Sequence, residues 1–195
     1  MWVIIKNAFK ERIRRKELYI VVAVGILILL LCSSGTATIS IEGEPITSFK
    51  NMFMVLHTAM NAVGCILAVV LSIRTIPNEY ERRNSHLIWV RGISQTKYHA
   101  GLSLANVLGA MMAMGILYLA LAIYVVMNSR TDYLVRMIPA FLIVCVNVAM
   151  ASLLTSVLSI KLPAGAAGGI GFVFAFGGIL HGVLDVYKNI AGGVA

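Results

Sequence analysis

The chain has very few charged residues, and long stretches have none. Only 12% of its 195 residues are Asp, Glu, Lys or Arg, against about 25% in soluble domains. Five windows of at least 23 residues contain no charge: Leu18–Ile41, Asn51–Ile73, Tyr98–Ser129, Met137–Ile160 and Leu162–Leu184. About 20 mostly apolar residues cross a bilayer core as a helix. The scarcity of charge therefore predicts a polytopic helical membrane protein with about five spans.

The alternating polar and apolar pattern of a membrane β-strand is also absent. Within lipid only helices and closed barrels satisfy every backbone polar group. Five spans and their short loops use nearly all of a chain that is 59% hydrophobic. The predicted fold class is all-α, with residues 1–195 forming a single transmembrane domain.

Catalytic and cofactor-binding motifs are missing as well. The sequence has no G-x-x-x-x-G-K-[ST] phosphate loop, which is the motif that holds nucleotide phosphates in many ATPases. Its three cysteines and four histidines are scattered without metal-ligand spacing. No charged residue lies mid-span to couple ions or protons. We therefore expect no enzyme activity, no cofactor and no metal in this chain.

The basic residues that are present lie in two places. Six of the sixteen Lys and Arg fall in Lys6–Lys16, five between Arg74 and Lys97, and one is Lys161, which makes twelve on one side of the membrane. The other side receives four. The positive-inside rule makes the richer side cytoplasmic, with the N-terminus. The net charge of +8 is thus a topology signal and not a nucleic-acid surface.

Residues 1–16 have the pattern of an amphipathic helix. An apolar stripe and a basic stripe recur at helical spacing: Trp2, Ile5, Phe9 and Ile13, and Lys6, Lys10 and Arg14. Such a helix lies in the membrane interface and binds anionic lipid. The alternative is an ordinary charged extension of the first span.

The cytoplasmic segment between the second and third spans predicts a short helix, residues 78–90. Pro77 fits the first turn of a helix, Gly92 fits its end, and Ser94 fits the cap of the next helix. Charged residues open the predicted helix and apolar residues close it. A helix of this kind either docks on a soluble partner or lies on the membrane surface.

The stretch "IRTIPNEYERRNSHLIWVRGISQTKYHAGLSLAN" resembles the segment that follows the second span in type-two ABC exporter permeases. Glu79, Ser94, Lys97, Tyr98 and Gly101 occupy matching places. The start, "KNAFKERIRRKELYI", is similar to the N-terminal interfacial helix of that family. The resemblance covers roughly residues 1–160.

The resemblance implies a permease subunit in a bacterial plasma membrane, paired with a second permease as a homodimer or heterodimer. It also implies a separate ABC-type ATPase subunit that contacts the predicted helix 78–90, which corresponds to the coupling helix of the family. The residues expected at this contact are Glu79, Arg82, Arg83, His86, Leu87 and Trp89. The implied function is ATP-driven export. The lack of intramembrane charge favours an amphipathic or apolar substrate, such as a peptide antibiotic or a lipid.

The family usually has six spans with both termini inside, whereas this chain has five windows. The chain is a shortened member, or a sixth span is missing from it, or the fifth window is re-entrant. The alternative function, from another class, is a membrane scaffold or accessory subunit without its own transport path.

Polar residues inside the windows are candidates for a transport pathway or for helix packing: His57, Asn61, Asn106 and Asn147. Ser152, Thr155, Ser156 and Ser159 form a polar stripe on the fourth span, for which packing is the expected role. The fifth span carries two GxxxG pairs, Gly165 with Gly169 and Gly178 with Gly182. Close packing within the chain, a subunit interface and a weakly helical segment all remain open for these glycines.

Overall fold

The computed structural model describes residues 2–14, 16–33, 40–41, 44–45, 49–81 and 94–191. Its helices are α1 Trp2–Ile13, α2 Lys16–Ser33, α3 Phe49–Ile73, α4 Thr75–Glu81, α5 Gln95–Met127, α6 Asp132–Lys161 and α7 Ala164–Ala191. Two antiparallel strands of two residues each, β1 Ser40–Ile41 and β2 Glu44–Pro45, lie between α2 and α3 in the chain. The helical architecture expected from the sequence is confirmed for the described residues.

Three helices of the described chain are long and apolar enough to cross a membrane. They are Phe49–Asn78, which includes α3, and Gln95–Met127 and Asp132–Lys161, which are α5 and α6. The first part of α7, Ala164–Gly178, is also apolar but is shorter than these three helices. Helices α2 and α7 occupy the first and fifth predicted windows, and their crossing stays a prediction.

Helix α3 lies at the centre of the bundle and contacts α2, α5, α6 and α7. Its buried face, including Leu56, Met60 and Leu67, forms one apolar core with residues of α5 and α6. Gly64 allows this close approach, because a Cβ there would be 2.6 Å from Sδ of Met114 and 3.0 Å from Cγ2 of Val148. The core therefore depends on a missing side chain at the point where three helices meet.

Helix α1 packs against the first turns of α5. Ala8 is buried in a small cluster with Tyr98, Leu102 and Ala105, while Lys6 and Lys10 are exposed. The predicted amphipathic helix is therefore present, but part of its apolar face contacts the protein. Of the predicted apolar stripe, Trp2 keeps 75% of its surface exposed.

The opposite end of the bundle carries an aromatic cluster. The rings of Phe49 and Tyr133 meet edge to face with centroids 5.1 Å apart, and Phe49 also stacks on Tyr124. Arg136 places its guanidinium carbon 5.4 Å from the centre of the Tyr133 ring. We call this the aromatic end, and the end that holds α1, α4 and the start of α5 the basic end.

The short helix after α3 begins earlier than predicted. It starts at Thr75 instead of Asn78, and α3 is interrupted only at Arg74. Pro77 explains the interruption, since proline has no N–H and its ring clashes with the carbonyl four residues before it, here that of Ile73. The remainder of the predicted helix, residues 82–90, lies outside the described residues.

Candidate functional site

Two carboxamides that were predicted as pathway or packing groups meet inside the bundle. Asn61 on α3 and Asn147 on α6 are both half-buried. Nδ2 of Asn147 donates to Oδ1 of Asn61 at 3.4 Å. The thiol of Cys65, one turn along α3, donates weakly to the same oxygen at 3.8 Å. The structure thus brings two of the four predicted polar candidates together.

These groups line a cleft of about 430 Å³ between α3, α6 and α7. Helix α7 contributes Phe174, Gly178 and His181, which share one face because residues three and four apart are neighbours on a helix. Asn147, Ala151 and Leu154 follow the same spacing on α6. The volume falls within the range of about 300–1,000 Å³ that is typical of small-molecule sites.

The cleft lies about halfway along the length of the bundle. At about 1.5 Å per helical residue, Asn61 is roughly 18 Å from the end of α3, and Asn147 is roughly 21 Å from the end of α6. Both distances run from the basic end and are near half the thickness of a bilayer of about 40–45 Å including its headgroups. None of the residues that line the cleft in the described structure is Asp, Glu, Lys or Arg. It is a polar site without Asp, Glu, Lys or Arg, about halfway along α3 and α6.

His57, the third polar candidate, makes a different contact. Its Nδ1 and the hydroxyl of Tyr118 on α5 form a hydrogen bond of 2.7 Å, and the two rings meet edge to face. Asn61 is one turn further along α3, but it faces α6 instead of α5. His57 therefore joins α3 to α5 and does not line the cleft.

Asn106, the fourth candidate, is fully buried near the basic end. Nδ2 of Asn106 donates to Oγ1 of Thr75 at 3.0 Å. The Thr75 hydroxyl also lies 2.6 Å from the carbonyl oxygen of Leu71 and 3.2 Å from Oδ1 of Asn106. These contacts tie the first residue of α4 to both α3 and α5, so Asn106 positions the junction between α3 and α4.

The polar stripe on α6 packs inside the protein. Ser152, Thr155, Ser156 and Ser159 are all buried. Ser152 forms a hydrogen bond of 2.9 Å with Ser72 on α3, and Thr155 donates to the carbonyl of Ala151 in its own helix. The expected packing role is confirmed for these residues.

Of the residues expected to contact an ATPase, the structure describes the position of one. Glu79 lies on α4, at the basic end, two residues after Pro77. Arg82, Arg83, His86, Leu87 and Trp89 lie outside the described residues. Their role stays a prediction.

Two glycines of α7 contact other helices of this chain, and neither belongs to the GxxxG pairs. A Cβ at Gly168 would be 2.6 Å from Cδ1 of Ile73, and one at Gly171 would collide with Oγ1 of Thr155. At Gly165, Gly169 and Gly178 a Cβ would meet no atom of the described residues within 4 Å. Gly182 lies on α7 near its end. Packing of the GxxxG glycines against a second chain stays a prediction, whereas Gly168 and Gly171 make the described contacts of α7 within the chain.

Two groups of the site were not predicted as site residues from the sequence. Cys65 and His181 were scattered polar residues in apolar windows, and the fold places them around the carboxamides. The available signal for Cys65 was its position four residues after Asn61, which places both residues on one face of a helix. For His181, the spacing of three from Gly178 gave a comparable but weaker one.

Comparison of the chain with protein-family models, with curated proteins and with solved structures found no match.

Proposed function

We propose that this chain is the membrane-spanning permease subunit of an ATP-driven exporter of the type-two ABC class. It lies in a bacterial plasma membrane with its N-terminus in the cytoplasm and crosses the membrane five times. The support is the resemblance over residues 1–160 together with three helices of spanning length. The exposed basic residues of α1 lie at the same end of the bundle as the start of α5, as the positive-inside rule requires.

The observation that carries the proposal is the attachment of α4. This helix continues α3 after one interrupted residue, and Thr75 bonds to Asn106 on α5. A force applied at α4 would therefore reach two helices that line the core. The resembling permeases receive such a force from their ATPase at this place, and Glu79 is on the helix that would receive it.

In this proposal ATP is hydrolysed by a partner chain, and the permease moves an amphipathic or apolar substrate. The uncharged cleft at membrane depth has the chemistry for such a molecule. A second permease subunit completes the pathway. The outer surfaces of α6 and α7 are rich in exposed large apolar residues, which suits contact with lipid or with that subunit.

The test is recovery of an ATPase with the tagged full chain from membranes of its host. We expect an ABC-type ATPase to copurify, and Trp89→Ala to reduce its recovery about thirtyfold if Trp89 contributes about 2 kcal/mol to the contact. Trp2→Ala is the matched control, because Trp2 is the other tryptophan of the chain and is exposed on α1. The control should recover the ATPase as the natural sequence does.

A charge reversal gives a second arm. Glu79→Arg should weaken ATPase recovery, whereas Asp132→Arg, at the aromatic end, should not. The outcome against the permease function is a full chain that inserts into the membrane but recovers no ATPase, with neither variant changing this result. That outcome would favour the scaffold or accessory subunit.

A further inference from the structure

We propose that the cleft between α3, α6 and α7 binds the uncharged amide group of an amphipathic molecule, through Asn61 and Asn147. The inference deepens the proposed function, since it names the chemical class of substrate. It requires a bound molecule whose polar part both donates and accepts hydrogen bonds, and whose apolar part lies between α6 and α7. Each requirement follows from a separate feature of the cleft.

The first feature is unused hydrogen-bonding capacity. A carboxamide has two N–H donors and an oxygen that accepts twice. The contact between Asn147 and Asn61 uses one donor of Asn147 and the oxygen of Asn61. Nδ2 of Asn61 and Oδ1 of Asn147 make no hydrogen bond to any residue that the structure describes. Neither atom is fully buried, so a donor and an acceptor are left open to the cleft.

The second feature is the absence of Asp, Glu, Lys and Arg among the described lining residues. A carboxylate would find no Lys or Arg among these residues, where His181 is the one basic side chain, and an ammonium group would find no Asp or Glu. Burying an unpaired charge is far more costly than burying a neutral polar group. An amide matches the free pair, because its carbonyl accepts from Nδ2 of Asn61 while its N–H donates to Oδ1 of Asn147. An ester has no N–H and can satisfy only one of the two.

The third feature is the apolar opening of the cleft. Met150 and Phe174 line it and each keep 66% of their surface exposed on the outside of the bundle. Leu154 and Ala175 complete an apolar wall between α6 and α7. A molecule can therefore enter sideways from the hydrocarbon and leave an alkyl chain or apolar side chains in the lipid. This geometry selects an amphiphile over a water-soluble amide.

The experiment is photo-cross-linking of the full chain in lipid nanodiscs, without an ATPase. The probe is an N-alkyl fatty amide with a diazirine on its acyl chain, and the comparison probe is the methyl ester of the same acid. We expect cross-links on α6 and α7 to be about tenfold more abundant with the amide, the effect of roughly one hydrogen bond. Asn61→Leu should remove the preference for the amide over the ester.

A variant that keeps both carboxamides guards against misfolding of Asn61→Leu. Gly178 lines the cleft, and a Cβ there meets no atom within 4 Å, so Gly178→Leu fills the cleft without displacing a helix. It should reduce cross-linking of the amide about tenfold, a change that corresponds to the loss of most bound probe. Gly177→Leu is the matched control, because Gly177 has the same open surroundings and does not line the cleft. It should leave cross-linking unchanged.

Two competitors distinguish the source of the amide. An unlabelled N-acyl lipid in the nanodisc tests a membrane lipid, and an acetylated and amidated pentaleucine peptide added from water tests a peptide. Competition by either supports the inference and assigns the source.

Equal cross-linking of amide and ester would overturn the inference, as would unchanged cross-linking in Gly178→Leu. A disulfide between two copies of Met150→Cys that excludes the probe would show that a second chain fills the cleft, and would also overturn it. These outcomes are independent of the ATPase. Failure of ATPase recovery with intact amide binding would therefore reject the exporter and not the binding site.

Discussion

Whether a glycine holds helices together depends on which side of its helix it occupies. On α7, Gly168 and Gly171 face α3 and α6, and their missing side chains leave room for Ile73 and Thr155. Gly169 lies between them in sequence and faces open space. Two neighbouring positions of one helix therefore have opposite tolerance for a larger residue.

At this scale we expect Gly171→Leu to destabilise the protein and Gly169→Leu to be neutral. The added side chain at 171 must displace Thr155 and Val69, and overpacking of this kind costs about 1–3 kcal/mol. Thermal unfolding of the purified protein in detergent measures the difference. Equal melting temperatures for the two variants would mean that α7 does not pack on α6 through Gly171.

At the scale of an element, the turn that ends α5 holds one residue in the left-handed backbone conformation. The N–H of Ser129 bonds to the carbonyl of Val126, and the N–H of Arg130 to that of Val125. This is the pattern of a Schellman motif, in which the residue after the cap adopts the left-handed conformation. Ser129 has a φ of 55°, although glycine is the residue that favours this region.

Ser129→Gly should therefore stabilise the protein. The left-handed conformation costs a residue with a side chain about 1 kcal/mol, and glycine avoids that cost. Ser129→Ala is the control, because alanine keeps the strained backbone and should give no gain. Unfolding by heat in detergent compares the three proteins. A gain in the alanine variant equal to that of the glycine variant would show that the backbone strain is not the cause.

The sequence predicted most elements but not how they meet. Hydropathy located the spans because charge is excluded from lipid, yet the third apolar window begins at Tyr98, while the helix begins at Gln95, directly after the predicted cap Ser94. Polar residues at the membrane edge continue a helix without appearing in an apolar window. Helical spacing groups residues on one helix, so it could not pair His57 with Tyr118, 61 positions away. The Asn61–Asn147 contact was hidden for the same reason.

At the scale of the whole molecule, the two ends of the bundle differ in character. The basic end has exposed lysines on α1 and the exposed Lys161 at the end of α6. The aromatic end has Phe49, Tyr124 and Tyr133, and aromatic residues are common where a helix leaves the membrane. Such a difference between ends orients a bundle in a bilayer.

We expect the aromatic end to face outward. In a variant whose native cysteines are replaced by alanine, Asp132→Cys should react with an impermeant maleimide added to whole cells. Lys161→Cys and Lys10→Cys should react only after the membrane is opened, because the basic ends of membrane proteins stay inside. Labelling of Lys161→Cys and not of Asp132→Cys in intact cells would reverse the orientation.

The docking of α1 on α5 has a consequence for the order of synthesis. Ala8 shares its cluster with Tyr98, Leu102 and Ala105, so its partners emerge from the ribosome about 90 residues later. At about 5–20 residues per second, that delay lasts roughly 5–20 seconds. During this time the apolar face of α1 has no protein to cover it, and the membrane surface is the nearest apolar medium. The newly synthesised α1 would first bind the lipid surface and then exchange that contact for α5. The packing of α1 on α5 is therefore a late step of folding.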